Sequence, residues 1–453
     1  MLTVLANGDS RFSFWPRVRE FAVPPSMIEL ATARRCVGDW AGACAAARVD
    51  VDFELRVVAR NHGHDIAARI RDDLRHLAPD LLRWHMPRIA PDGLLRPGLT
   101  IALVRYDDAL CLVARTPPAW ADAGQRISLA LWDDSRGEAG PRRRWYPRLR
   151  PHRRFRLDLH RHLWDVRRVG ELSVRSGADH EPRPGEHLAV DRWAAEAGIL
   201  LRAEGRSAGR VGVRLDGRHR LGLAVVADND GPGPPTWRIA ATSADRSIAG
   251  LPILPDAATW VLPDLELLRT GAIRADRLHP LVARELVPDH TPAGTYRADR
   301  PHLVDCRGAR HRIGVVDGVL VPLDHDPVEI RREELLAELT GTPLPCLQAI
   351  DTAHRRPDWL TGVRERLDHG DTAGALAVVE RLLGPDALLR DGPLRDELEA
   401  AARRRITYGL FRAGLVGTGP GSRPVPDLDR IRPNRRRPTP RDGRARPHHA
   451  SYR

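Results

Sequence analysis

Residues 313–323 have the sequence Ile-Gly-Val-Val-Asp-Gly-Val-Leu-Val-Pro-Leu. Two aliphatic runs flank an Asp-Gly pair, which is a favoured two-residue turn because both residue types accept a positive φ. The stretch therefore predicts a β-hairpin, and it is the strongest local structural signal in the chain. Because parallel strands cannot be joined by so short a turn, it also favours an antiparallel sheet.

Upstream of this hairpin, further apolar runs have the length and spacing of strands. They are residues 99–106 with 110–114, residues 127–132, and residues 211–215 with 221–226. The last pair flanks Asp216-Gly217, a second favourable turn. The patterns predict a β-rich region over residues 96–326, with interspersed helices that include one over 155–174.

The first 95 residues are predicted to be mainly helical. Ser26 and Glu29 have the spacing of a capping box at a helix start, and Gly38 suits the left-handed position after the helix end. Four apolar residues further along recur at helical spacing and define one face, namely Ile66, Ile70, Leu74 and Leu77.

Residues 327–416 are also predicted to be helical. Asp326 and Pro327 supply an N-cap and a proline at the first helical position. Asp371 is predicted to start another helix that ends near Gly384, and Pro393 to open a last one.

These patterns together predict an α+β fold, in which helical N- and C-terminal segments surround a central region of antiparallel β-hairpins. The predicted divisions fall after residues 95, 326 and 416. Residues 417–453 form a tail rich in arginine and proline, and residues 421–453 carry +7 of the formal net charge of +12. This tail has too few apolar residues to offset its ordering entropy and is predicted to be disordered.

One short sequence occurs twice. Residues 38–43 (Gly-Asp-Trp-Ala-Gly-Ala) and 370–375 (Gly-Asp-Thr-Ala-Gly-Ala) agree at five of six positions. Such an echo is typical either of a helical-hairpin repeat that docks partners or of two independent uses of the same cap and turn. Two copies without a fixed period favour the second interpretation.

All 72 basic residues are arginine, and the chain contains no lysine. The absence of lysine excludes a P-loop, a protein kinase and Schiff-base chemistry within this chain, because each needs a lysine amine. A GC-rich genome explains the arginine excess more simply than selection for guanidinium chemistry.

The five cysteines are odd in number and lack Cys-x-x-Cys spacing. This pattern favours buried thiols in a reducing compartment over disulfides or a cysteine-based zinc knuckle. The start of the chain does not have the pattern of a signal peptide, and no apolar run has the length of a membrane span. We therefore expect a cytoplasmic protein.

Three patterns were weighed as sites for chemistry. The sequence Gly-x-Ser-x-Gly around Ser207 matches a nucleophile elbow, but a strand pattern follows it where a helix is required. Pairs of histidines at His62 with His64 and at His160 with His162 would share a face only on strands. Asp324, His325 and Asp326 offer ligand-type groups after the best hairpin. None of these predicts a catalytic residue, a metal ligand or a cofactor.

The tail supplies the remaining candidates. Six arginines there are candidate anion or nucleic-acid contacts: Arg435, Arg436, Arg437, Arg441, Arg444 and Arg446. Arginines neutralise phosphates and give salt-sensitive binding without sequence preference. A solubilising role for the tail explains the same residues.

Two stretches resemble an uncharacterised family of proteins from high-GC actinobacteria, for which no activity is known. They are residues 76–95, with His-Leu-Ala-Pro-Asp-Leu-Leu-Arg-Trp-His-Met-Pro-Arg at their start, and residues 306–327, which end Val-Leu-Val-Pro-Leu-Asp-His-Asp-Pro. The likeness covers most of the body and leaves out the tail. It implies a bacterial source and a cytoplasmic location, and it implies nothing about mechanism.

The sequence therefore predicts a non-enzymatic interaction or regulatory protein with a protein partner. One alternative is association with nucleic acid through the tail. Another is an enzyme, possibly metal-dependent, whose site is assembled from distant residues around Asp324 and His325.

Overall fold

The structure is a computed structural model. It describes residues 13–107, 109–121, 123–134, 146, 150–178, 187–215, 219–228, 236–243, 250–290, 302–306, 308–316, 319–341, 344–348, 358–383 and 392–415. The tail with its six candidate arginines, from Arg435 to Arg446, lies outside the described residues.

The described chain forms an α+β fold. In chain order its helices are α1 (Trp15–Phe21), α2 (Pro25–Cys36), α3 (Trp40–Ala46), α4 (Leu55–His62), α5 (His64–His76), α6 (Pro79–His85), α7 (Leu172–Ser176), α8 (Trp193–Ala203), α9 (Asp256–Thr259), α10 (Pro263–Arg269), α11 (Pro280–Leu286), α12 (Pro327–Thr340), α13 (Asp358–Asp368), α14 (Thr372–Leu383) and α15 (Pro393–Ala413). Its strands are β1 (Val49–Val51), β2 (Arg88–Ile89), β3 (Leu94–Leu95), β4 (Thr100–Arg105), β5 (Leu110–Arg115), β6 (Ile127–Asp133), β7 (Ala208–Arg214), β8 (Arg220–Asp228), β9 (Thr236–Ser243), β10 (His302–Cys306), β11 (Ala309–Val316) and β12 (Val319–Pro322).

The predicted hairpins form antiparallel sheets. Strand β4 pairs with β5 and β5 with β6, while β7-β8-β9 and β10-β11-β12 form two three-stranded sheets. In the last sheet Val316 lies opposite Val319, so the strands of the predicted hairpin meet as expected. The turn residues 216–217 and 317–318 lie outside the described residues.

One pairing departs from the antiparallel prediction. Strand β1 runs parallel to β6, with Val49 opposite Ile127, and extends the first sheet to the order β1-β6-β5-β4. Helices α4 to α6 and the β4–β5 hairpin lie between the two strands in the chain. That connection is long enough for the crossover that a parallel pair requires.

The predicted helix over 155–174 is wrong. Apart from short 3-10 turns, the only helix described within that range begins at Leu172. The Asp165 side chain accepts hydrogen bonds from the backbone and side chain of Arg167 and from the side chain of Arg161. Such side-chain bonds compete with helix formation, so the segment wraps around the sheet instead.

The observed helix starts confirm some of the predicted N-caps and not others. Asp326 and Asp371, as predicted, each accept a hydrogen bond from a backbone N–H of the first turn, and Asp39 does the same at the start of α3. The capping box at Ser26 and Glu29 does not form, because α2 already begins at Pro25 and its N-cap, Pro24, offers no side-chain oxygen.

The largest hydrophobic core joins the N-terminal helices to the four-stranded sheet. Trp84 of α6 and Trp164 are fully buried in it, and it extends to Leu278 and Val282. A second core lies between α8 and the β7-β8-β9 sheet. The first core thus includes residues from both sides of the predicted boundary at residue 95, and the division itself stays a prediction.

Among the described residues, no helix combines the length and apolarity needed to cross a bilayer.

Candidate ligand-binding site

A cavity of approximately 560 Å³ lies beside the end of α6 and strand β2. Its other walls come from α1, from residues 154–157 and from residues 256–263. This volume lies within the range of small-molecule sites. We call it the Arg88 cavity, after the side chain that distinguishes it.

Arg88 is a buried cation that forms no ion pair with any described residue. It begins strand β2 opposite Leu95 and is 8% exposed. Its Nη atoms donate to the backbone oxygens of Arg83 and Gly93, over 2.8 Å and 3.4 Å. Its Nε has no hydrogen-bond partner, and no described carboxylate lies within salt-bridge distance of it.

Burial, with a smaller contribution from the positive charge of Arg19, lowers the pKa of Arg88 to about 9. At neutral pH the side chain is therefore still charged. A buried charge without a partner costs several kcal/mol. An anionic group in the cavity would offset that cost.

Three other arginines that line the cavity are neutralised. Arg19 donates to Asp264 over 2.7 Å, Arg154 is paired with Asp256, and Arg156 forms a bidentate pair with Asp158. These pairs are structural, because each carboxylate already accepts the hydrogen bonds of its arginine. Arg88 thus differs from these three arginines because no described carboxylate pairs with it.

His85, the last residue of α6, also lines the cavity. Its Nδ1 lies 3.0 Å from the backbone oxygen of Leu163 and must carry the proton, because a carbonyl can only accept. Burial lowers the pKa of His85 to about 4, so the ring is neutral at pH 7. Its Nε2 is buried without a hydrogen-bond partner and lies 3.9 Å from Oδ2 of Asp264.

The remaining walls are largely apolar. Phe14, Trp15 and Phe155 supply aromatic rings, and Met86 and Leu157 are among the aliphatic residues. Arg19 stacks between two tryptophans, with its guanidinium carbon 4.7 Å from the ring centre of Trp15 and 4.3 Å from that of Trp84. The cavity therefore suits a ligand with an apolar body and an anionic group.

The residues that sequence analysis considered do not assemble this site. Ser207 is exposed and follows α8 immediately before β7. This order of helix and then strand is the reverse of a nucleophile elbow.

The two histidine pairs are separate from the cavity. His62 ends α4 and His64 begins α5, with Gly63 between them at a φ of 91°. His160 lies 3.2 Å from Glu196, which also binds Arg175, and burial lowers the pKa of His162 well below its ordinary value. His160 and His162 are buried in the protein interior, whereas His64 is exposed.

A second group of side chains meets at the β10-β11-β12 sheet. Cys306, His325 and Cys346 each bring a potential ligand atom to within 4.8 Å of the others, and they are the only such group found among the described residues. We call it the thiol–imidazole cluster. Sequence analysis named His325 but assigned the cysteines to ordinary buried positions. Four cysteines are indeed buried, whereas Cys36 is exposed.

The neighbouring acid has a different role. Asp324 accepts hydrogen bonds from the backbone N–H of Arg312 (2.7 Å) and from its Nη2 (2.6 Å). These bonds lower the pKa of Asp324 to about 2. Burial, followed by the neighbouring Cys306 thiol, raises the pKa of Cys346 to about 11.

Family models, curated proteins and solved structures were each searched with this chain, and none matches.

Proposed function

We propose that this protein is a non-enzymatic, cytoplasmic regulatory protein that binds an anionic organic molecule in the Arg88 cavity. The observation that carries the proposal is the buried, charged Arg88, which no described carboxylate reaches, in a cavity of ligand size. A ligand carboxylate or phosphate would complete the guanidinium with charge-assisted hydrogen bonds.

The composition of the walls supports binding over catalysis. The residues that line the cavity supply no serine, threonine, tyrosine or cysteine side chain. Their one carboxylate, Asp256, is paired with Arg154. His85 also lines the cavity, but its pKa of about 4 leaves it without a proton to donate from Nε2 at neutral pH. The cavity is therefore better suited to holding a ligand than to transforming it.

A pair of fluorescent probes tests the proposal. 8-Anilino-1-naphthalenesulfonate has an aromatic body and an anionic group, and N-phenyl-1-naphthylamine has nearly the same body without the charge. We expect saturable binding of the sulfonate at one site, weakened roughly 10-fold to 100-fold by Arg88→Gln, because a hydrogen bond to a charged group contributes about 1.5–3 kcal/mol. Binding of the neutral probe should be nearly unchanged.

Arg210→Gln is the control, because it removes one charge from an exposed arginine that binds Ser243 within the β7-β8-β9 sheet and does not line the cavity. Chemical denaturation of each variant shows that the fold is retained. Equal sulfonate affinity in wild type and Arg88→Gln, or equal losses for both probes, would reject the proposal.

A further inference from the structure

We propose that Cys306, His325 and Cys346 bind a zinc ion. This metal site is independent of the Arg88 cavity and of the proposed regulatory function.

The three ligands come from parts of the chain that are distant in sequence. Cys306 ends strand β10, His325 follows strand β12, and Cys346 lies in residues 344–348. Both cysteines are fully buried, and the histidine is half-buried. Two thiols and an imidazole thus meet at one point although no Cys-x-x-Cys or His-x-x-x-His spacing brings them there.

Their separations suit a tetrahedral ion. Zinc–sulfur bonds of about 2.3 Å and zinc–nitrogen bonds of about 2.0 Å place neighbouring ligand atoms roughly 3.5–3.8 Å apart. Sγ of Cys346 lies 3.5 Å from Nε2 of His325, and all three ligand atoms lie within 4.8 Å of one another. Small side-chain rotations would close the remaining distance.

The donor set selects the metal class. Thiolate and imidazole favour zinc over magnesium or calcium, which prefer oxygen. The nearest carboxylate, Asp324, is engaged by Arg312, so it positions the segment before His325 instead of binding the ion. The ring of His311 stacks on that of His325 at 4.2 Å and 17° and restricts its orientation.

A zinc ion here would join a small sheet to the segment that covers it. Among the described side chains, the buried cluster at this sheet consists of Cys306, Leu344 and Cys346, with Val304 and Leu347 packed against it. The binding free energy of an ion held by these three residues would add to the stability of this part of the fold.

Cobalt substitution provides the test. The reduced, full-length protein is stripped with a chelator, titrated with Co²⁺, and followed by absorption. We expect one equivalent to give a thiolate-to-cobalt charge-transfer band and the visible bands of tetrahedral cobalt, both of which Zn²⁺ should displace. Cys306→Ser, Cys346→Ser and His325→Ala should weaken binding at least 10-fold. Cys44→Ser, which alters a buried cysteine outside the cluster, should behave as wild type.

His325→Cys keeps the proposal testable if a ligand deletion unfolds the protein. This variant should bind Co²⁺ with a stronger charge-transfer band, because three thiolates replace two. Absence of a thiolate band in the reduced wild-type protein would overturn the proposal. A band that Cys346→Ser leaves unchanged, or a Cys306–Cys346 disulfide that persists under reductant and blocks uptake, would also overturn it.

Discussion

His369 is a buried imidazole without hydrogen bonds from either ring nitrogen. Burial, followed by the positive charges of Arg88 and Arg83, lowers its pKa to about 3. Its ring packs edge-on against Phe21, with the ring centres 6.4 Å apart. The residue therefore stays neutral in the folded protein over the whole range in which an exposed histidine becomes charged.

This difference predicts an acid-sensitive stability. The unfolded chain takes up a proton at His369 near pH 6.5, whereas the folded chain does so only near pH 3, so the free energy of unfolding falls as the pH drops between these values. His369→Phe should reduce that fall by up to about 1 kcal/mol per pH unit. Urea denaturation at pH 7, 6 and 5 measures the slope.

Burial also lowers the pKa values of His85 and His162, and both residues still contribute to the pH dependence of stability in the His369→Phe variant. The slope should therefore become shallower without vanishing. A slope identical to that of the wild type would contradict this account. It would show that His369 is already protonated in the folded protein, or that water there removes the effect of burial on its pKa.

At the scale of single residues, contacts between neighbours in sequence were predictable, and contacts between residues distant in sequence were not. Asp39 and Asp326 act as N-caps because the donors they bind lie within three residues. Arg88 is one of 72 arginines, and only the folded chain shows that no described carboxylate reaches it. The thiol–imidazole cluster likewise depends on contacts that no sequence spacing encodes.

At the scale of elements, the repeated Gly-Asp sequences form the same turn. Gly38 and Gly370 have φ values of 79° and 82°, and the following Asp caps the next helix by accepting from the N–H of Gly42 or Gly374. In both copies an arginine five residues before the Asp also binds it, namely Arg34 or Arg366. The copies thus share more geometry than their five identical residues.

The two turns differ in one contact. The first turn joins helices α2 and α3, and the second joins α13 and α14. Arg48, which follows α3, donates to Asp371 over 3.3 Å and to the backbone oxygen of His369 over 3.2 Å. Asp39 is more exposed and has no such partner from the other hairpin among the described contacts. Asp371 therefore caps its own helix and also links the α13–α14 helix pair to the α2–α3 helix pair.

We accordingly expect unequal effects of removing the two caps. Asp39→Ala should cost about 1 kcal/mol, the usual contribution of an N-cap. Asp371→Ala should cost about 3–5 kcal/mol, because it also leaves Arg48 largely buried without its carboxylate. Chemical denaturation measures both values.

A double-mutant cycle with Arg48→Ala isolates the contact between the hairpins. The coupling free energy between Arg48 and Asp371 should be at least about 1 kcal/mol. Additive changes in the free energy of unfolding would indicate that each turn stabilises only its own helix pair, without energetic coupling between the two.

At the scale of the whole molecule, a buried ion pair joins distant segments. Arg19 of α1 donates to Asp264 of α10 over 2.7 Å, and the indole of Trp84 donates to the same carboxylate over 3.0 Å. The arginine and aspartate side chains are almost completely buried. This contact holds α1, which lines the cavity, against α10, whose first residue, Pro263, lines it as well.

Asp264→Asn should therefore destabilise the protein by about 3–5 kcal/mol, since it leaves Arg19 buried without a counter-ion. The matched control is Asp276→Asn, which breaks an exposed pair with Arg274 and should cost less than about 1 kcal/mol. Denaturation followed by tryptophan fluorescence compares the two. Equal effects would contradict a structural role for the buried pair.

The antiparallel hairpins and terminal helices were predictable because each is encoded by neighbouring residues. The parallel β1–β6 pair and the wrapped segment around Asp165 were not, since both depend on contacts across the assembled core. The cavity belongs to the same class of features. Its walls come from segments that include α1, α6 and α10, and its function depends on their meeting.

The most direct measurement is the arginine Nε–Hε NMR spectrum of the protein, with the Arg88 signal assigned by its loss in Arg88→Gln. On addition of 8-anilino-1-naphthalenesulfonate, the Arg88 signal should shift in a saturable manner, and the neutral N-phenyl-1-naphthylamine should leave it nearly in place. An Arg88 signal that stays unchanged while the sulfonate binds would contradict the assignment of this residue as the anion-binding group.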